Sequence, residues 1–121
     1  MQDDVPVGQA QPAPDEAVVY LYGVTTCDNT ASAVHVTHSR TSIAIYPGTY
    51  KFFSVKPGLH RIRLDARDTI EIEARAGQNY FIEQEIACGG AMPRYRQRVV
   101  DQDEGKSKVR ESVLGLGGQS R

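Results

Sequence analysis

Two cysteines, Cys27 and Cys88, carry the most definite chemistry in this sequence. They are its only cysteines, so one intramolecular disulfide is available, and it would close a loop across most of the predicted core. In an oxidising compartment such a bond stabilises a fold by about 4 kcal/mol on the chain-entropy model. In a reducing compartment both stay small hydrophobic thiols. Neither belongs to a C-x-x-C motif, so thioredoxin-type chemistry is not expected. For an exported protein, the sequence predicts a Cys27–Cys88 disulfide.

Histidine is the next residue type to consider for metal binding or acid–base catalysis. The chain has three, His35, His38 and His60. His35 and His38 are an odd number of residues apart, so in a strand without a bulge they face opposite sides of the sheet. No zinc-type spacing joins the cysteines and histidines. We therefore predict no metal and no cofactor, and place the histidines at the surface or in hydrogen-bonded core positions.

The sequence contains no recognised motif for nucleophilic catalysis or phosphate binding. It has no G-x-S-x-G elbow, and its glycine-rich segment at 115–118 lacks the following Lys-Ser/Thr of a phosphate loop. Glu83 and Glu85 share one face of a predicted strand, which is the usual pattern of a solvent face, although paired catalytic carboxylates are the alternative. We predict a non-enzymatic protein. An enzyme would require an unrecognised site around His60 or this glutamate pair.

Three arginines, Arg94, Arg96 and Arg98, alternate along a predicted strand and therefore share one of its faces. This face is a candidate site for an anionic ligand, such as a polysaccharide, a lipid headgroup or an acidic protein. The interpretation we favour is a charged edge strand that resists aggregation. Three acidic residues at 101–104 follow and would neutralise much of the positive charge.

Composition limits the classes to which the chain can belong. Its 121 residues include 40% hydrophobic and 24% charged side chains, which is typical of one soluble globular domain. No apolar run approaches the roughly 18 residues of a membrane-spanning helix. A formal net charge of -1 disfavours a dedicated nucleic-acid-binding domain, which usually carries a basic excess.

Short β-type runs separated by turn residues organise the chain from residue 17 onward. Turns are predicted at Pro47-Gly48, at Pro57-Gly58 and around Gly77. The runs number seven to eight, at the spacing typical of an all-β fold, and we predict an antiparallel β-sandwich. A short C-terminal helix or tail should follow it, because Val109, Val113 and Leu114 recur at helical spacing. The clustered tyrosines and phenylalanines should fill the core.

The same patterns divide the chain into three segments. Residues 1–16 are acidic and rich in proline, so we expect a flexible linker with no signal-peptide pattern. Residues 17–114 form the predicted sandwich domain. Residues 115–121 are predicted to be a disordered tail.

The order of these segments, over about residues 17 to 110, resembles an uncharacterised family of small bacterial envelope proteins. Members are predicted lipoproteins that carry a domain of unknown function, and the second hairpin also resembles PEGA-like β-domains. The family pattern joins two Pro-Gly turns, a Gly-x-x-Tyr segment and an acidic closing segment. The matching residues are Pro47, Gly48, Thr49, Tyr50, Pro57, Gly58, His60, Gly77, Tyr80, Gln84, Val100, Asp101, Glu104, Gly105 and Lys106.

The resemblance implies export to the periplasm or cell envelope, with a lipid anchor in the native precursor. It implies structural roles for His60, near a Pro-Gly turn, and for Gln84, in the sheet interior. Envelope proteins or polysaccharides are the expected partners, in a binding or scaffolding role. The two cysteines are not part of the family pattern.

Overall fold

The computed structural model describes residues 14–27, 33–64, 68–90 and 93–114. Within these ranges the chain forms nine strands and one helix. In chain order they are β1 (Ala17–Thr25), β2 (Val34–His38), β3 (Thr41–Ile45), β4 (Thr49–Val55), β5 (Gly58–Leu64), β6 (Asp68–Ala74), β7 (Asn79–Ala87), β8 (Arg94–Val100), α1 (Gln102–Arg110) and β9 (Val113–Leu114).

The strands form two sheets that pack face to face. Sheet A has five strands in the order β8-β7-β1-β4-β9, and sheet B has four in the order β3-β2-β5-β6. The predicted all-β sandwich with a short C-terminal helix is confirmed. Most of the predicted linker (residues 1–13) and the whole predicted tail (residues 115–121) lie outside the described residues.

Alternating apolar residues from both sheets form the main core. In β5 and β6 every second residue is turned inward and the intervening ones are exposed, as the sequence pattern predicts. Each fully buried Val, Leu or Ile contributes roughly 1.5–3 kcal/mol through removal of its surface from water. The core residues are Ala17, Val19, Leu21, Val34, Val36, Ile45, Val55, Ile62, Leu64, Ile72, Ala74, Ile82 and Ile86.

Sheet A differs from the predicted antiparallel pattern at its centre. Strand β1 pairs with β4 in antiparallel orientation but with β7 in parallel orientation, so the sheet is mixed. Strand β1 has a paired strand on each side, and each of its faces packs against other residues of the fold. Its residues from Val19 to Gly23 are all buried. A strand covered in this way has a nearly continuous apolar sequence, which is the pattern of AVVYLYG.

Helix α1 covers the outer face of sheet A and creates a second apolar cluster there. Its N-cap is Asp101, whose side chain accepts a hydrogen bond from the Glu104 backbone N–H at 2.8 Å. Acidic residues occupy its first turn and basic residues its last, which complements the helix dipole. The residues of this outer cluster are Tyr20, Tyr22, Tyr50, Phe81, Val100 and Val109.

The prediction that Val113 and Leu114 belong to the C-terminal helix is wrong, because α1 ends before them. Only Val109 of the predicted apolar series is helical, and the helix ends at a C-cap on Glu111. Val113 and Leu114 form β9 instead, paired in parallel with the first two residues of β4. The backbone N–H of Val113 donates to the Gly48 carbonyl at 2.9 Å, so this segment extends sheet A at its edge.

Candidate functional site

The two cysteines form the predicted disulfide. Cys27 follows the end of β1 and Cys88 follows the end of β7, and these strands are parallel neighbours, so the two Cα atoms lie 5.2 Å apart. Threonine hydroxyls form hydrogen bonds with the backbone on both sides of the disulfide. The Thr25 hydroxyl donates to the Ile86 carbonyl at 2.9 Å and accepts from the Cys27 N–H at 2.9 Å. The Thr26 hydroxyl accepts from the Cys88 N–H at 2.9 Å. The predicted Cys27–Cys88 bridge is confirmed.

The structure places Arg94, Arg96 and Arg98 on the outer face of β8, an edge strand of sheet A. The guanidinium of Arg96 contacts the Glu85 carboxylate at 2.5 Å from the neighbouring strand β7. Arg98 contacts the Glu83 carboxylate at 2.9 Å. Much of the positive charge on this face is therefore balanced by glutamates of the same sheet.

Glu83 is buried, contrary to the prediction that it lies on a solvent face. The prediction was wrong because α1 covers this part of sheet A, and Glu83 is only 8% exposed. It accepts hydrogen bonds from the Tyr22 hydroxyl at 3.2 Å and from Arg98 at 2.9 Å. Arg98 also reaches Glu104 of α1 at 2.7 Å. Burial, and then the Glu83 charge, raise the pKa of Tyr22 above its ordinary value. The network fastens the helix to the sheet.

A pair of histidines lies at one end of the sandwich. His38, at the end of β2, and His60, on β5, both face inward, and His38 Nε2 lies 3.0 Å from His60 Nδ1. His60 Nε2 donates to the Lys56 carbonyl at 2.6 Å. The ring of Phe53 packs 5.0 Å from the His38 ring, and burial, followed by the neighbouring His60, lowers the pKa of His38. His35 is exposed on the opposite face of β2.

Sequence spacing alone did not reveal this histidine pair. His38 lies opposite Ile62 in the register of β2 with β5, so His60 is its diagonal neighbour on the same face. The register depends on how the Pro57-Gly58 connection brings the chain from sheet A to sheet B. The available sequence signal was the inward alternation of His60 with Ile62 and Leu64.

A cleft of about 440 Å³ opens beside the histidine pair. Its walls include Ser39, Leu59 and Arg61. Ser39 has a φ of 59°, a left-handed conformation that non-glycine residues seldom adopt. The Arg61 guanidinium is bound to the Glu71 carboxylate at 2.8 Å, which balances its charge at the wall.

Gln84 belongs to a buried polar bridge between the sheets. Its Nε2 donates to Gln97 Oε1 at 3.0 Å, and Gln97 Nε2 donates in turn to the Ile62 carbonyl at 2.8 Å and the Asp68 carbonyl at 3.1 Å. Among the described residues, Gln84 Oε1 has no hydrogen-bond partner. Gln84 is therefore buried in the interior between the two sheets.

The remaining residues of the family pattern lie mostly where the chain passes between sheets. Pro47-Gly48 joins β3 of sheet B to β4 of sheet A, and Pro57-Gly58 joins β4 back to β5. Neither closes a hairpin. Gly77 lies between β6 and β7 with a φ of 81°, a conformation that suits glycine. The Tyr80 hydroxyl accepts from the Arg75 N–H at 2.9 Å across the same connection, and Tyr50 is buried under α1.

The part of the chain that the structure describes offers neither a clustered metal site nor a membrane-spanning helix. No group of three or more His, Cys, Asp or Glu side chains is arranged to hold a metal ion there. Within the same ranges, no helix combines the length and the apolar character needed to cross a membrane. In comparisons with known proteins, no family model and no curated protein matches this chain.

Proposed function

We propose that this protein is a non-enzymatic β-sandwich, exported to the periplasm or cell envelope of a bacterium, where it acts by binding or scaffolding. The observation that carries the proposal is the Cys27–Cys88 disulfide. Disulfides persist in oxidising compartments and are rare in the reducing cytosol. A bridge between cysteines 61 positions apart stabilises a domain whose core is of modest size.

The placement of the acidic and basic side chains supports a non-enzymatic role. The side chains that an enzyme site would require lie in different sheets. His60 is on the inner face of sheet B, whereas Glu83 and Glu85 are on the outer face of sheet A. The Glu83 carboxylate accepts hydrogen bonds from Tyr22 and Arg98, and the Glu85 carboxylate accepts one from Arg96. These carboxylates have a structural role, since each forms an ion pair with an arginine of the neighbouring strand.

Localisation of the native precursor tests the proposal. The full-length gene product is expressed in its own host and the cells are separated into cytosolic, periplasmic and membrane fractions. We expect the protein in the periplasmic or membrane fraction, with a lipid-modified amino terminus if the precursor is anchored. Recovery in the cytosolic fraction would contradict export.

A second candidate function is the binding of an anionic envelope polymer by the face that contains Arg94, Arg96 and Arg98. The side chains of Arg96 and Arg98 are 73% and 54% exposed, so an incoming anion can reach them. Their pairing with glutamates lowers the net charge of the face, and any binding should therefore be weak and sensitive to salt.

Neutral substitutions test this second function without placing like charges against Glu83 and Glu85. Arg94, Arg96 and Arg98 are changed together to glutamine, and retention on an immobilised acidic polysaccharide is measured at low salt. The control variant changes Arg40, Arg63 and Arg75 to glutamine, which alters the net charge equally. We expect only the first variant to lose retention. Equal loss in both variants would show a nonspecific charge effect and reject the site.

A further inference from the structure

The distance between the facing nitrogens of His38 and His60 matches the bite of a two-histidine metal chelate. Imidazole nitrogens lie about 2.0–2.1 Å from a bound divalent transition metal. Two such nitrogens 3.0 Å apart would subtend an angle of about 94° at the metal. This is close to the 90° between neighbouring ligands in square-planar or octahedral coordination. A tetrahedral ion such as zinc would instead require a separation of about 3.3 Å.

The hydrogen bond from His60 Nε2 to the Lys56 carbonyl fixes which nitrogen of that ring can act as a ligand. At 2.6 Å this bond keeps the proton on Nε2, so the lone pair on Nδ1 accepts a hydrogen bond from the His38 Nε2–H. A metal bound to both nitrogens would replace that hydrogen bond, with the His38 proton moving to Nδ1 of its own ring. Histidine ligands in metal sites commonly donate their other N–H to a backbone carbonyl in this way. The Phe53 ring restricts the His38 ring from one side. The two rings are therefore held next to each other before a metal binds.

The surroundings leave room for a metal ion and its remaining ligands. The cleft of about 440 Å³ adjoins both rings and would admit water or a small anion to the open coordination positions. Arg61, a cationic residue of the cleft wall, is held in an ion pair with Glu71 at 2.8 Å, which reduces its repulsion of a bound cation.

We propose that His38 Nε2 and His60 Nδ1 form a binding site for copper(II), with nickel(II) next in affinity. Imidazole is a favourable ligand for both ions, and both accept tetragonal geometry. Among divalent first-row ions the affinity of a given nitrogen site is generally highest for copper. The prediction of no metal considered the spacing of His35 with His38 and of the cysteines with the histidines, whereas the proposed site uses a pair on neighbouring strands. It does not depend on the proposed cellular role, because it is a property of the purified protein.

Copper titration of the untagged, disulfide-bonded full chain tests the site. Calorimetry with copper(II) chloride gives the affinity and stoichiometry, and electron paramagnetic resonance counts the nitrogen ligands. We expect one site with two imidazole nitrogens in the wild type. His38→Ala and His60→Ala should each weaken binding at least about 100-fold, the upper range for losing even an outer-shell partner. His35→Ala is the matched control, on the same strand and the opposite face, and should change affinity less than about twofold.

A measurement on the wild type alone covers the case in which a variant fails to fold. Substoichiometric copper(II) broadens nuclear magnetic resonance signals close to the bound ion, and we expect the broadening to centre on His38 and His60. Broadening centred on the amino terminus or on His35 would overturn the proposal. Unchanged copper affinity in the folded His38→Ala or His60→Ala variant would overturn it as well, as would zinc binding tighter than copper binding.

Discussion

Gly105 lies where helix α1 comes closest to sheet A, and replacing it by alanine tests that contact. A Cβ atom at this position would lie 2.2 Å from Cγ and 2.4 Å from Cβ of Phe81. These atoms lie at the base of the Phe81 side chain, which is fully buried, so a change of rotamer cannot move them far. Relief requires the helix to move away by about 1.5 Å, to normal carbon–carbon contact distance.

The expected free-energy change is the balance of two opposing effects. Alanine is favoured over glycine in a helix by about 1 kcal/mol. Overpacking a close contact costs roughly 1–3 kcal/mol, and here it also weakens the burial of Val109 on the same helix. Because the overlap is severe, we place the cost at or above the upper end of that range. The net effect of Gly105→Ala is then a loss of about 2 kcal/mol and a decrease in Tm of about 10 °C.

Urea unfolding, followed by circular dichroism, measures this loss, and a second substitution in the helix provides the control. Ser107 is exposed on the same helix, so Ser107→Ala should leave stability unchanged or raise it by a few tenths of a kcal/mol. Hydrogen exchange should be faster in α1 of the Gly105→Ala variant than in the wild type. A Gly105→Ala protein at least as stable as the wild type would refute the close packing of α1 on Phe81.

Three other changes test separate parts of the structure. Replacing Cys27 and Cys88 by serine should lower the free energy of unfolding in urea by about 4 kcal/mol, given their separation of 61 positions, and an unchanged value would contradict a stabilising bridge. The pKa of Tyr22 is raised in the folded state, so the folded protein holds the hydroxyl proton more tightly than the unfolded chain does. The stabilisation from the protonated Tyr22 hydroxyl is therefore complete below about pH 10, the ordinary pKa of tyrosine, and is lost progressively above it. The stability difference between wild type and Tyr22→Phe should therefore narrow above pH 10, and a constant difference would contradict the raised pKa. Asp101→Ala removes the cap on the Glu104 N–H and should cost about 1 kcal/mol in thermal unfolding, whereas Asp101→Asn should retain most of that stability; equal losses would contradict capping.

The strands and turns could be predicted because their determinants are local. In β5 and β6 a two-residue apolar alternation marks the inward face, and glycines with positive φ, such as Gly48 and Gly77, lie in the connections between strands. The parallel pairing of β1 with β7 could not be predicted in the same way. It joins segments that are distant in sequence, and the intervening strands determine their order in the sheet.

The environment of the polar residues depended on contacts that no local pattern encodes. Glu83 alternates with apolar residues as an exposed glutamate would, but α1 covers it and Tyr22 and Arg98 satisfy its carboxylate. The approach of His38 to His60 required the register between two strands of sheet B. The cysteine pair could be predicted because a chain with two cysteines has only one intramolecular pairing available.

The oxidation state of Cys27 and Cys88 in the protein taken from its native compartment tests the central claim most directly. Cells are treated with an alkylating reagent under denaturing, non-reducing conditions, and the mass of the purified protein is measured before and after reduction followed by a second alkylation. A disulfide-bonded, exported protein should gain no adduct before reduction and two adducts after it. Two adducts without reductant would show free thiols in the cell and contradict the proposed export to an oxidising compartment.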